Sequence, residues 1–346
     1  MTVNTEIPPE PARRHVLGSI LRWVSVLAIA GFAVWGAAAL FYQAPGTLPL
    51  RIAAACAWVL LSLACLIVYI RRASRFAALV YPVAIAGLLF WWGAIAASNE
   101  RDWADDIAQM TVGVVNGQTV TLANVRNFDW RTETDYTVNW ETRTYDLEKL
   151  ASVDMLLSYW SSPAIAHTLV SFGFEDGSFV TFSVEIRKEK HERFSEVGGF
   201  FKEFETSIVA ADERDIVRLR TNVRKEDVYL YRIAMAKPAM RSLFMAYVDA
   251  ANALAETPRF YNTVTANCTT IVYDMVARIV PDLPLDYRLI FSGYLAEYID
   301  TVRGLTPGFT LEQLRMAGRI GPRAVEADNT PDFSARIREG IPPLPL

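Results

Sequence analysis

A chain of 346 residues with a net charge of -4 and 52% apolar residues is long enough for one or two domains and carries no basic excess to attract nucleic acid. Only three cysteines and three histidines occur, too few and too scattered for a disulfide framework or a tetrahedral zinc site. No metal or cofactor is expected.

The apolar content is concentrated at the start. Residues 17–41, 52–70 and 76–97 are three runs of membrane-spanning length, interrupted by a single charge at Arg22, with Trp91 and Trp92 near the end of the third. Three consecutive runs cannot all be a cleaved leader, so all three are read as transmembrane helices. Arg13, Arg14 and Arg22 precede or open the first, and Arg71, Arg72 and Arg75 fill the second connection. The positive-inside rule then makes both clusters cytoplasmic and places residues 99–346 outside the cytoplasm. The expected organisation is a tail with three spans over 1–98, followed by one extracytoplasmic domain. For a bacterial cell this means a multi-pass protein of the inner membrane, N-terminus in the cytoplasm and domain in the periplasm.

Within the domain, Asn116-Gly117 between the β-branched runs 111–115 and 118–122 predicts a hairpin. The stretch from Asn127 to Tyr145, rich in Thr and Trp, reads as extended, 147–159 as helical, and 214–233 as further strand. Apolar residues at helical spacing from Leu243 to Leu254, and again from Ile271 to Val280, predict two helices ending at Pro258 and Pro281. Residues 320–346 read as an irregular tail, and the whole as α+β.

A second hairpin is predicted around Glu175-Asp176-Gly177. With a three-residue loop, Phe174 pairs with Ser178 and, stepping back along the ladder, His167 stands opposite Glu185. Val170, Phe172 and Phe174 then share an apolar face with Val180, Phe182 and Val184. The other face carries His167, Ser171, Thr181, Ser183 and Glu185.

Cys56 and Cys65 lie inside the second apolar run and read as packing residues. Cys268 stands alone at the start of the second helix, where a lowered thiol pKa is expected; the plain alternative is a small buried hydrophobe. His15 belongs to the cytoplasmic tail and His191 to the charged run 187–193, which leaves His167 as the base. Glu185 fits as the carboxylate that orients it. Asn267 is read as an N-cap, with Asn267 and Thr269 as candidate support for an oxyanion. Asn267-Cys268-Thr269 also matches a glycosylation sequon by spacing alone.

The blocks Asn127-Phe128-Asp129-Trp130-Arg131, Ala166-His167-Thr168 with Ser171-Phe172-Gly173-Phe174, Ser183-Val184-Glu185-Ile186-Arg187, and 261–270 with Asn267-Cys268-Thr269 come in this order. Together they resemble the Lnb-type N-terminal periplasmic domain family over about residues 120–300. The resemblance implies a permuted papain-like site with Cys268 as nucleophile, His167 as base and Glu185 as orienting acid. It also implies acyl transfer through a thioester, in which an acyl chain leaves the diacylglyceryl group of a lipoprotein for its N-terminal amine. The expectation is thus a membrane-anchored thiol acyltransferase or hydrolase whose partner is a membrane lipid or lipoprotein. Two alternatives stand beside it: a cell-envelope cysteine peptidase or amidase, and a non-catalytic envelope binding module that meets an acidic partner through Arg214, Arg218, Arg220 and Arg224.

Overall fold

The structure, a computed structural model, describes residues 10–71 and 77–345. Arg72, Arg75 and Phe76 lie outside the described residues, as does most of the tail. The chain divides into two compact units, Met1–Ala96 with Phe201–Glu203, and Ala97–Phe200 with Phe204–Leu346.

The first unit is built from α1 (Glu10–Gln43), α2 (Leu48–Arg71) and α3 (Ala77–Ala94). Ser19–Gln43 and Leu48–Arg71 are long and apolar enough to cross a membrane, whereas the third apolar helix, Leu79–Ala94, is shorter than a full span. Their outward residues, among them Leu21, Trp23, Leu27, Val34 and Leu60, are apolar and exposed. Inside, Trp58, Cys65, Tyr81 and Leu88 cluster. The Tyr81 hydroxyl donates to Ser62 Oγ (3.1 Å) and the Trp58 indole N–H to the Phe32 carbonyl (3.1 Å), so these two polar groups of the cluster are paired.

The second unit is a mixed sheet with helices on both faces. Its strands are β1 (Val112–Asn116), β2 (Thr119–Arg126), β5 (Trp140–Asp146), β6 (Leu150–Ser162), β7 (Ile165–Phe174), β8 (Phe179–Arg187), β9 (Glu205–Ala211) and β10 (Asp227–Arg232), with β3 (Asp129–Trp130) and β4 (Tyr136–Thr137) forming a small separate pair. The spatial order is β1-β2-β9-β8-β7-β6-β10, with β5 also on β2. All of these pairings are antiparallel except β2 with β9.

Both predicted hairpins form. Asn116 pairs with Thr119, and around Gly177, whose φ of +83° suits glycine, Phe174 N–H donates to the Ser178 carbonyl (3.0 Å). The β7–β8 register follows as expected, Gly173 with Phe179 through Leu169 with Ser183. Val170, Phe172, Phe174, Val180, Phe182 and Val184 pack with Phe244, Tyr247 and Val248 of α5 (Lys237–Glu256), the first of the two predicted helices. The second is α6 (Thr270–Ala277), one turn shorter than its apolar period.

Three expectations are corrected. Residues 147–159 are one 3₁₀ turn and then strand β6: a central strand covered on both faces has a near-continuous apolar run that periodicity cannot separate from a buried helix. Residues 214–233 are strand only from Asp227. Before it, Asp212 accepts the Arg214 N–H and caps α4 (Glu213–Arg218), which continues into a π-helical turn, Leu219–Val223. The C-terminal region is helical, with α7 (Leu295–Thr301), α8 (Leu311–Gly318), α9 (Gly321–Ala327) and α10 (Phe333–Arg336). Ile320, Ala324, Ala327, Phe333 and Ile337 are buried against Leu156, Leu169, Val209 and Leu230 of the sheet. Its prolines and charges had masked that short apolar period.

Candidate active site

Strands β7 and β8 pair no further than Leu169 with Ser183, although β7 stays on β6 and β8 on β9 beyond that point. Into this opening come His167 from β7, Ser183 and Glu185 from β8, and Cys268 from the loop before α6. His167 Nε2 lies 2.6 Å from Ser183 Oγ and 3.1 Å from Glu185 Oε1, and Ser183 Oγ donates to the same Glu185 oxygen at 2.7 Å. Because the one hydroxyl hydrogen of Ser183 is given to Glu185, the Nε2–H of His167 must be a donor in this arrangement. That fixes the neutral tautomer and leaves Nδ1 to accept the thiol proton.

Cys268 is 8% exposed. Burial pushes its thiol up, but the neighbouring His167 overrides this through charge and a hydrogen bond, helped by the Thr168 N–H and the Thr269 hydroxyl, so the pKa falls below the usual thiol value. The Thr168 N–H is free for this because the strands have parted beside it. Burial and the Arg220 charge push His167 down, yet Glu185 and Cys268 raise it to about 9. Burial would raise Glu185; His167, Arg220 and Ser183 instead hold it well below the carboxylate range. The shifts are those of a thiolate–imidazolium pair backed by a carboxylate.

Thr269, not Cys268, directly precedes the first helical residue of α6. Asn267 Oδ1 accepts the N–H groups of Thr269 (2.8 Å) and Thr270 (2.9 Å), while its Nδ2 donates to the Thr263 carbonyl (2.8 Å). The oxygen and one of the two amide hydrogens thus shape the loop, and the N-cap position of α6 falls to Thr269, with Asn267 two residues ahead of it. At 7% exposure Asn267 is also closed to glycosylation. Thr269 Oγ1 sits 4.0 Å from Cys268 Sγ and 3.4 Å from Thr168 Oγ1, beside the thiol as expected.

Tyr261 and Ser183, to which the sequence pattern assigns no role, also stand at the site. The Cys268 N–H is directed at the Tyr261 hydroxyl, whose pKa burial and the charges of Cys268 and Glu185 hold far above the ordinary phenol value, so it remains an O–H donor. The block at 127–131 is structural. Asp215 accepts from Arg126 Nε and Nη2, the Phe128 N–H and the Trp130 indole N–H, all between 2.8 and 3.0 Å, which locks the β3 segment onto α4. His191, with a 74% exposed side chain, stands on a solvated face as its charged neighbours implied.

Thr168 and Thr269 also line a cavity of about 290 Å³ whose other walls are almost wholly apolar, including Met155, Val170, Val272, Val276, Leu289 and Leu295. Among the described residues, no group of three His, Cys, Asp or Glu side chains could hold a metal ion.

No curated protein and no solved structure matches the chain. Its apolar helices fit a membrane protein with a periplasmic domain. Residues 136–293, which hold His167, Ser183, Glu185 and Cys268, match the family model of the Lnb N-terminal periplasmic domain, and this chain carries a domain of that family.

Proposed function

We propose that the protein is a membrane-anchored thiol acyltransferase or hydrolase that works through a Cys268 thioester on the acyl groups of lipids or lipoproteins. The observation that carries this reading is the convergence of Cys268, His167 and Glu185 through Ser183. A thiol before a helix and an imidazole on a strand suit a papain-like site with permuted chain order. His167 takes the thiol proton, and the thiolate attacks the acyl carbonyl carbon. The Tyr261 O–H is the donor available to the resulting oxyanion, joined by the Cys268 N–H as it turns from the Tyr261 oxygen. Collapse breaks the ester bond, the imidazolium protonates the departing alcohol, and an S-acyl enzyme remains. An amine or water, deprotonated by His167, then attacks the thioester; the acyl group moves to it and the thiol is restored.

The apolar cavity beside Thr168 and Thr269 favours an acyl chain over a polar peptide. In this reading the three apolar helices all span the inner membrane, the N-terminus is cytoplasmic and the domain works in the periplasm. The alternative of an acidic partner for the arginines of 214–224 loses its basis, because Arg218 and Arg220 are buried and paired with Asp328, Glu185 and Glu226.

The test is trapping of the thioester. Full-length protein in detergent, mixed with a diacylated lipopeptide, should gain the mass of one acyl group on Cys268, released by hydroxylamine. Cys268→Ala should gain none, and His167→Gln should acylate about 10² to 10⁴ times more slowly. Equal labelling of Cys268→Ala would overturn the proposal.

A further inference from the structure

Behind Glu185 the structure continues a line of alternating charge. Glu185 Oε1 receives not only Ser183 and His167 but Arg220 Nη2, at 3.2 Å. The other nitrogen of the same fork, Nη1, reaches Glu226 Oε2, also at 3.2 Å, and Arg224 Nη1 stands 3.9 Å from Glu226 Oε1. Ser158, the cross-strand neighbour of His167 on β6, donates its hydroxyl to Glu226. From thiol to surface the signs therefore run Cys268, His167, Glu185, Arg220, Glu226, Arg224, each between opposite neighbours. The Arg220 side chain is only 8% exposed, and its Nε finds no partner among the described residues.

An arginine buried between two carboxylates is costly to desolvate, and an apolar residue of similar volume would serve a purely structural role as well. Its placement is local as well as long-range. Arg220 lies on the π-helical turn Leu219–Val223, where Arg224 N–H bonds the Leu219 carbonyl, and Glu226 N–H returns to the Arg220 carbonyl at 2.9 Å. Such wide turns cluster at functional sites because they redirect a side chain that a regular helix would carry elsewhere.

We infer that Arg220, held by Glu226, is a positioning residue of the site: its planar fork fixes Glu185 against His167, and its charge limits how firmly the imidazole keeps its proton. The inference rests on the Cys268–His167 reading above. Two opposed effects act through one side chain. Anchoring Glu185 orients the imidazole, while a cation two groups away disfavours the imidazolium and keeps it able to surrender its proton to a leaving alcohol. The groups facing the imidazole are Cys268 from the loop before α6, Ser183 and Glu185 from β8, and Arg220 from the π turn. Glu226 and Arg224 stand behind them, and the Tyr247 and Tyr261 hydroxyls face the thiol, both held protonated.

The experiment is the pH profile of Cys268 carboxymethylation by iodoacetate in the full-length protein in detergent, with Cys56 and Cys65 distinguished by peptide mapping. The thiolate sulfur displaces iodide from carbon. Because the reagent is an anion, the rate is highest while the imidazolium is present, so the alkaline limb reports His167. That limb should fall near pH 9 in the wild-type protein. In Arg220→Gln it should move upward by about one pH unit, and acylation by the lipopeptide should slow about tenfold. Arg220→Lys, which keeps the charge without the fork, should retain the wild-type limb and still acylate slowly. An unmoved limb in folded Arg220→Gln overturns the positioning role and leaves the Cys268–His167 reading standing. A wild-type profile with no alkaline limb overturns both.

Discussion

On one face of the sheet Phe172 and Phe182 meet Phe244 and Tyr247 of α5 ring to ring, with centroids 5.1 Å apart for Phe172–Phe244 and 4.9 Å for Phe182–Tyr247. On the other face Asp154 and Glu213, both fully buried, are joined by one side chain: Arg338 Nε donates to Asp154 (2.8 Å), its Nη atoms to Glu213 (2.6 and 2.7 Å), and Arg232 completes Asp154. The first face is held by area and shape, in many small contributions that repacking can redistribute. The second is held by a few charges that must all be present, because a carboxylate left alone in the interior keeps its desolvation cost without compensation. His167 belongs by alternation to the charged face, and Cys268 packs with the aromatic one. The opening between β7 and β8 brings a thiol from apolar surroundings to an imidazole tuned by charge.

The contrast can be broken most directly by stability. Arg338→Ala should cost about 3–5 kcal/mol by thermal unfolding in detergent, since it leaves buried Glu213 without a counter-charge and Asp154 with Arg232 alone. Phe244→Leu, at the centre of the aromatic face, should cost about 1 kcal/mol. A larger loss for Phe244→Leu than for Arg338→Ala would show that the faces are held the same way.

The next effect is in pH. His167 is raised, so its contribution is complete below pH 6.5 and declines as pH rises through about 9; Cys268 is lowered, so its contribution is complete above 9.0 and declines as pH falls through the folded value. From the higher of 6.5 and the folded thiol value up to about 9, one proton is bound in the folded and in the unfolded state alike and the slopes cancel. The stability difference between wild type and Cys268→Ser should be level across that window and shrink on both sides. A continuous slope through it would mean that the pair is neutral. Smallest is Ser183→Ala. Glu185 still lies 3.1 Å from His167, so acylation should slow only about fivefold, and a loss above a hundredfold would make Ser183 the true partner of the imidazole.

How far these features were legible depends on how local their causes are. The β7–β8 register follows from one turn and an alternating pattern, which is enough to set His167 beside Glu185. Cys268 was legible as an isolated thiol before a helical period. Strand β6 was not, because a strand buried on both faces loses the alternation that marks a strand. Arg220 was not, because its role depends on a π turn and on partners that other elements bring to it; by composition it was one of four arginines on a surface. The helical C-terminus was hidden by its charges, and Arg338, the most consequential of them, points inward.

That residue also sets an order of events. Asp154 and Glu213 precede Arg338 by 184 and 125 residues, so both carboxylates are synthesised long before their common counter-charge exists. A nascent domain can close its aromatic face early, but the charged face, with the helix that carries Glu213, cannot be desolvated until Arg338 arrives. Completion of the domain is therefore tied to synthesis of the segment that carries Arg338, and a chain that stops short of it would present quality-control proteases with a sheet finished on one side only.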